Sequence, residues 1–331
     1  MALRPTRRLH LAEPSAGDES LIAQVQNAVR ARRHDRLSVA TFTEGQWQTA
    51  HFGASDALDY EIGSVTKTFT ASLLALAIAR GEVAAQTPVG ELLELGSSPA
   101  AALALGDIAT QTSGLPRLPV SFAEFRRGAR AVRAGLDPYI ATVPELVAQA
   151  AATPLGRAGT FTYSNLGFAV LGQALAAAAG TSYSALVEKR IAVPLGLSAT
   201  RSAATVAELP ADAATGFDAR GRAVAAWTMN AYGPAGSIRS TLPDMMRYTQ
   251  AQLDGSAPGQ DATTPRVSVP KMGRIGYAWL TSPEGVTWHN GMTGGFASFV
   301  AFDRQRSRAV VVLSNTAVSV DALALSLIAD R

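Results

Sequence analysis

From Val65 to Arg80 the chain reads VTKTFTASLLALAIAR, and Gly81 closes the run. The spacing is helical, yet apolar residues fall on nearly every side of the helix. A helix without a polar face cannot lie on a surface. It has to be packed all round, so the remaining elements are expected to be built about it. Gly81 supplies the left-handed turn at which helices commonly stop. The chain has the material for such packing: 331 residues, 47% hydrophobic and 17% charged. That length favours one large two-part domain or two domains over a single small core, and the composition excludes global disorder.

The runs on either side of this helix differ in kind. Before it, Glu19–Arg33 has helical spacing at Leu21, Ile22, Val25, Ala28 and Val29. LSVATF (37–42) and WQTAHF (47–52) follow as two strands around Glu44 and Gly45. After it, residues 82–260 read as mostly helical: PELVAQAAA (144–152), NLGFAVLGQALAAAA (165–179), YSALVEKRI (183–191) and TLPDMMRYTQAQL (241–253). Thr241 and Asp244 stand at the spacing of a helix cap, and Pro243 sits in the first turn, where no backbone donor is missed. The last seventy residues return to strands: IGYAWLT (275–281), GVTWHN (285–290), ASFVAF (297–302) and RAVVVLSN (308–315), then a final helix VDALALSLIA (320–329). Strands at both ends with helices between them predict an α/β fold of the α+β kind. One antiparallel sheet is built from both termini and flanked by helices, with a mostly helical subdomain inserted. The expected division is residues 1–62 and 262–331 for the sheet part and 63–261 for the helical part, with the active site at their interface.

Several function classes drop out. There is no cysteine, which removes disulfide frameworks, thiol nucleophiles and Cys-ligated metal sites. The four histidines (His10, His34, His51, His289) are too far apart in sequence for a metal-binding helix, so no metal and no cofactor is expected. The formal net charge is +3, carried by scattered arginines such as Arg30, Arg32, Arg33 and Arg36, then Arg126, Arg127, Arg130 and Arg133. These form no sharp stripe and belong to no nucleic-acid-binding module. No apolar run reaches the ~18 residues that span a bilayer, and the first residues, MALRPTRRLHLAEPSAG, hold no apolar signal core. A soluble protein without a visible export signal is expected. There is no G-x-S-x-G elbow and no glycine-rich phosphate loop, which disfavours α/β-hydrolase and nucleotide chemistry.

Three motifs can carry chemistry. Ser64-Val65-Thr66-Lys67 opens the apolar helix. A serine hydroxyl needs a base to become a nucleophile, and a lysine three residues on lies one turn away on the same face. Buried among apolar walls, its ammonium form is disfavoured, so it can hold a free lone pair. Helix N-terminal N–H groups also favour developing negative charge. Lysine occurs only three times (Lys67, Lys189, Lys271), arginine supplying every other cation among the 29 basic residues. A lysine inside TKTFTASLLALA is therefore no ordinary surface charge. Ser268-Val269-Pro270-Lys271 repeats the spacing, but Pro270 pushes Val269 out of the helical region and no apolar helix follows. Tyr163-Ser164-Asn165 lies in a loop entering a helix. Taken alone, Tyr163 is a packing aromatic and Asn165 a cap; near a Ser–Lys pair, a phenol can relay protons and an amide can hold a carbonyl. Finally, Trp288-His289-Asn290-Gly291-Met292-Thr293-Gly294-Gly295 ends a strand in small residues. Glycine weakens a strand unless a ligand or another backbone comes close.

SVTK at 64–67, YSN at 163–165 and HNG at 289–291, in that order, resemble the serine β-lactamase and penicillin-binding protein superfamily, whose signature is S-x-x-K, S-x-N or Y-x-N, and K-T-G. The tyrosine and the histidine variant are similar to the branch of class C β-lactamases, D-alanyl-D-alanine carboxypeptidases and related esterases. EIGSVTKTFTA, TQTSGLP (110–116) and HNGMTGGFASFVAFD add to the likeness, which covers roughly residues 20–330. The resemblance implies a β-lactamase/transpeptidase-like fold. It makes Ser64 the acylated nucleophile, Lys67 its proton acceptor and Tyr163 the relay that protonates the leaving group. Asn165 orients Lys67 and a substrate amide. His289 replaces the motif lysine, facing a substrate carboxylate, while Asn290, Gly291 and Met292 continue the substrate-binding strand. The N–H groups of Ser64 and Met292 form the oxyanion hole. Two departures matter. Histidine is not a permanent cation, so carboxylate recognition is expected to be weaker or pH-dependent. No Glu-x-x-Leu/Asn deacylating loop follows Asn165, which leaves the deacylating water to Tyr163 and Lys67.

The function expected is a serine hydrolase working through a Ser64 acyl-enzyme. Its partners are small molecules: an ester, a β-lactam or a short peptide or D-amino-acid amide. A dedicated class C-like β-lactamase, a non-catalytic penicillin-binding sensor and an acyltransferase or cyclase using the same residues are the alternatives.

Overall fold

A computed structural model describes residues 6, 9–29 and 34–329. Arg30, Arg32 and Arg33, and with them the end of the helix expected to run to Arg33, lie outside the described residues.

Two stretches of chain from opposite ends meet in one nine-stranded antiparallel sheet. Its strands are β1 (Pro14–Gly17), β2 (Leu37–Thr43), β3 (Gln46–Phe52), β4 (Val267–Val269), β5 (Gly273–Ile275), β6 (Leu280–Thr281), β7 (Thr287–Met292), β8 (Ala297–Asp303) and β9 (Arg308–Ser314), in the order β1-β3-β2-β9-β8-β7-β6-β5-β4. The join is β2 against β9, with Leu37 opposite Ser314 and Phe42 opposite Ala309. Glu44 and Gly45 both have positive φ, 53° and 80°, the geometry that matches a two-residue hairpin to strand twist.

Both faces of the sheet are covered, so its central strands are apolar throughout rather than alternating. Val39, Phe299, Val310 and Val312 face helices α1 (Glu19–Val29) and α6 (Asp321–Ala329), whose Leu21, Val25, Leu323 and Leu327 pack on them. Phe42, Val300, Phe302, Val311 and Leu313 face the other way, into the larger core. There α5 (Leu242–Asp254) lies on the sheet through Leu242, Met245 and Tyr248.

Helix α2 (Thr66–Ala79) stands in the middle of that core, with residues 66–75 all buried. It packs against α4 (Asn165–Ala178), itself buried along most of its length. The threonines of the first turns of α2 find partners on neighbouring elements, as buried hydroxyls generally do. Thr66 accepts from the Ile238 N–H at 3.1 Å, Thr68 accepts from the Tyr248 hydroxyl at 2.9 Å and Thr70 donates to the Pro234 carbonyl at 2.8 Å. A small sheet of Tyr60–Glu61, Ile238–Ser240 and Arg201–Ser202 ties the chain entering α2 to the segment following residue 230.

The differences from expectation have local causes. IGYAWLT is not one strand: it splits into β5 and β6 around Tyr277, Ala278 and Trp279, whose large rings turn into the core instead of continuing the ladder. Ala278 takes a positive φ of 62° there. Residues 82–260 also hold short strands at 201–202, 216–217, 223–224 and 238–240. Ser268, the decoy nucleophile, sits in β4, paired across a turn with Arg274. Among the described residues no single helix is long and apolar enough to cross a membrane.

Candidate active site

Ser64 sits in a single 3₁₀ turn, Gly63–Val65, at the entrance to α2. Two glycines let that turn touch strand β7. Gly63 has φ 49°, and a Cβ there would come within 2.6 Å of the Met292 nitrogen. A Cβ on Gly291 would come within 2.0 Å of the Ile62 carbonyl oxygen. That carbonyl is held by the Ser298 hydroxyl at 2.7 Å and the Val65 N–H at 3.2 Å. The nucleophile turn and the end of β7 are thus one rigid unit. The close backbone approach accounts for glycine on a strand.

Lys67, one helical turn beyond Ser64, is fully buried. Its Nζ lies 3.1 Å from Ser64 Oγ and donates to the Ala235 carbonyl at 2.6 Å. Apolar burial, helped by the nearby Arg117 cation, holds its pKa well below the usual lysine value. A neutral amine that spends one N–H on Ala235 keeps its lone pair for the serine proton. The ring of Tyr163 is centred 4.8 Å from Nζ and that of Phe168 5.7 Å.

Tyr163 stands close enough to Ser64 for that hydroxyl to favour its ionised form, but burial outweighs this and pushes its pKa up to about 12, so it is a neutral phenol. Its ring centre is 6.5 Å from that of His289. Ser64, Lys67, Tyr163 and His289, spread over 225 positions of sequence, therefore converge.

Asn165 departs from its expected contacts. Its amide nitrogen donates to the Tyr139 hydroxyl at 3.0 Å, and its buried carbonyl oxygen has no partner. No hydrogen bond joins it to Lys67, whose Nζ donates to the Ala235 carbonyl. His289 is 3% exposed, and burial, reinforced by Lys67 whenever that amine is protonated, lowers its pKa to about 3. Nδ1 stands 2.6 Å from the Asn290 carbonyl, which can only accept, so the ring is the Nδ1–H tautomer with Nε2 as acceptor. The expected pH-dependent cation is thus a permanently neutral ring near neutrality. Asn290 turns the other way along the pleat: its amide donates to Asp321 of α6 at 2.8 Å, so only its main chain belongs to the site. Gly291 contributes the close approach, and Met292 its N–H beside the turn, with a side chain 48% exposed.

Three contributors carry no motif of their own. Arg117 lays its guanidinium 5.3 Å from the Tyr163 ring centre, while its carbonyl accepts the Asn165 and Leu166 N–H groups and so fixes the YSN loop. Tyr139 anchors Asn165. Ala235 offers only a carbonyl. TQTSGLP led up to Arg117; nothing local announced the other two.

This fold, with a buried lysine and a phenol near one serine, is that of the serine β-lactamase and penicillin-binding protein superfamily, in its class C-like branch. The chain belongs to the Beta-lactamase family, whose profile matches residues 24–330. Among curated relatives, it is 28% identical over 274 residues to the D-alanyl-D-alanine-carboxypeptidase/endopeptidase AmpH of Escherichia coli K12, covering 74% of this chain and 68% of that one. It is 24% identical over 334 residues to a Beta-lactamase of Pseudomonas fluorescens, covering 84% and 88%. Among solved structures, it is similar to a class C β-lactamase from Rhodobacter sphaeroides (TM-score 0.79, 22% identity, 94% of this chain and 98% of that one). A Beta-Lactamase/D-Alanine Carboxypeptidase from Pseudomonas syringae is similar at TM-score 0.79 and 19% identity, with the same coverage.

Proposed function

We propose that the protein hydrolyses short-chain esters, β-lactams or D-amino-acid amides through an acyl-enzyme on Ser64. The observation that carries this reading is the Lys67 amine, fully buried and 3.1 Å from Ser64 Oγ. As Ser64 attacks the substrate carbonyl, its proton passes to Lys67. The tetrahedral oxyanion is received by the N–H groups of Ser64 and Met292, which the two glycines bring together. Tyr163, protonated and near Ser64, gives its proton to the leaving oxygen or nitrogen and regains one from Lys67. Water then attacks the acyl-enzyme, its proton passing through the Tyr163 hydroxyl to the Lys67 amine, and Lys67 returns that proton to Ser64 Oγ as the acid leaves. Residues 63–261 supply the nucleophile, base and relay, residues 1–62 and 262–331 supply the strand, and the site is the seam between these parts.

A preference for esters and peptides over dedicated β-lactam hydrolysis rests on His289. A buried neutral ring offers no charge to a substrate carboxylate. The test is kcat/KM for a short-chain p-nitrophenyl ester beside a chromogenic cephalosporin, in wild type and Ser64→Ala. Ester turnover exceeding cephalosporin turnover, and lost in Ser64→Ala, supports the reading. Ester turnover that survives Ser64→Ala contradicts it.

A further inference from the structure

Helix α3 (Phe122–Ala134) lies over the molecule without any of residues 123–134 being fully buried. Beneath it is a cavity of about 280 Å³, walled by Leu118, Phe125, Val132, Tyr139, Trp227 and Tyr232. The polar groups at its edge satisfy one another. Gln149 donates to Glu124 and accepts from the Tyr232 hydroxyl at 2.8 Å, which leaves an apolar interior. Among the described residues, most of the large apolar side chains that stand exposed fall between positions 118 and 143, among them Leu118, Val120, Phe125, Val132 and Ile140.

The cavity adjoins Arg117 through Leu118, and the Arg117 guanidinium lies 5.3 Å from the Tyr163 ring centre. Tyr139, the inner wall of the cavity, accepts from Asn165, which stands two residues beyond Tyr163. It is also kept open by sequence. Gly128 lines it from the middle of α3, where glycine is the poorest helix former after proline. A Cβ there would meet only the Pro138 Cβ, at 4.0 Å, so no protein atom uses the space that the missing side chain leaves. At this size it lies at the small end of ligand pockets, which run from roughly 300 to 1,000 Å³. It suits one chain or ring, not a peptide.

We propose that this cavity is the acyl pocket of the enzyme and takes an apolar alkyl chain or aryl group on the acyl side of the substrate held at Ser64. The inference rests on the acyl-enzyme reading above and gives it a substrate class. The acyl side is assigned because that group stays attached through the intermediate, whereas a leaving alcohol lodged under α3 slows its own release.

The experiment is a series of p-nitrophenyl esters from acetate to octanoate. Each methylene that enters the pocket raises kcat/KM by about fourfold until the cavity is full. Gly128→Leu fills the space and lowers the octanoate-to-acetate ratio at least tenfold. Gly128→Ala, a milder and helix-favouring change, lowers it less. The readout is a ratio of two substrates on one enzyme, so a general loss of activity cancels. A flat wild-type series overturns the proposal, as does an unchanged ratio in Gly128→Leu, or a slope that follows the alcohol in alkyl acetates instead of the acyl chain. Octanoate titrated calorimetrically into Ser64→Ala protein separates the two readings. Saturable binding that Gly128→Leu removes supports the pocket whether or not any ester is turned over, and no saturable binding overturns it.

Discussion

Gly291→Ala tests how tightly the strand and the nucleophile turn are locked. The new methyl carbon would lie 2.0 Å from the Ile62 carbonyl oxygen and 2.5 Å from Ser298 Oγ. Ile62 cannot swing aside cheaply, because its carbonyl accepts from both Ser298 and Val65. Relief therefore has to come from β7 and the turn moving apart, by roughly 1 Å for ordinary contact, and such overpacking costs about 1–3 kcal/mol of stability. The same movement separates the Met292 N–H from the Ser64 N–H. A misplacement of about 1 Å costs roughly a hundredfold in rate, and a lost oxyanion donor about 10²–10³ in kcat. Steady-state hydrolysis of a p-nitrophenyl ester is expected to show kcat reduced by about a hundredfold or more, with the chain still folded by circular dichroism. A folded variant with kcat within about threefold of wild type refutes the argument that these two backbones form the oxyanion site.

Other consequences follow from the same geometry. Arg117→Gln removes the cation that helps keep Lys67 deprotonated, so the Lys67 pKa rises and the acidic limb of the kcat/KM profile moves to higher pH; an unmoved limb contradicts this electrostatic role. His289, held at a pKa of about 3, should keep the Nδ1–H tautomer, with its ¹⁵N shifts constant from about pH 5 to 8, and a titration near the ordinary histidine value refutes its burial. Arg239, 1% exposed, bonds Asp59 at 2.5 Å and Glu61 at 3.0 Å just ahead of the nucleophile turn. Arg239→Met strands two buried carboxylates and should cost about 3–5 kcal/mol in chemical denaturation, and a loss under about 1 kcal/mol argues that the network is dispensable.

The sheet was legible in the sequence because its central strands are buried on both faces, which leaves continuous runs such as AVVVLS and ASFVAF. The helices α2 and α4 were legible for the same reason. What escaped were elements defined by what they lean on. Helix α3 has a strong polar face, a glycine at its centre and no fully buried residue among 123–134, so its arginines looked like scattered surface charge. Strand β1 is PSAG, composed of turn residues, and pairs with β3 only through a register irregularity. The site divided likewise. Ser64, Lys67, Tyr163 and His289 are motif positions and meet in space. Asn290 was expected in the site, yet strand alternation sends its side chain to Asp321. Ala235 and Tyr139 act through one carbonyl and one hydroxyl, and their place is set by tertiary packing that no local pattern records.

The central claim is that one hydroxyl, at position 64, is made nucleophilic by the buried amine of Lys67. Intact mass spectrometry after exposure to a fluorophosphonate measures this directly, with peptide mapping and a time course in wild type, Ser64→Ala and Lys67→Met. The account predicts one adduct per chain, on the peptide holding Ser64. It predicts none in Ser64→Ala, and labelling slowed by about 10²–10⁴ in Lys67→Met. An adduct that persists in Ser64→Ala, or labelling of Lys67→Met at the wild-type rate, contradicts it.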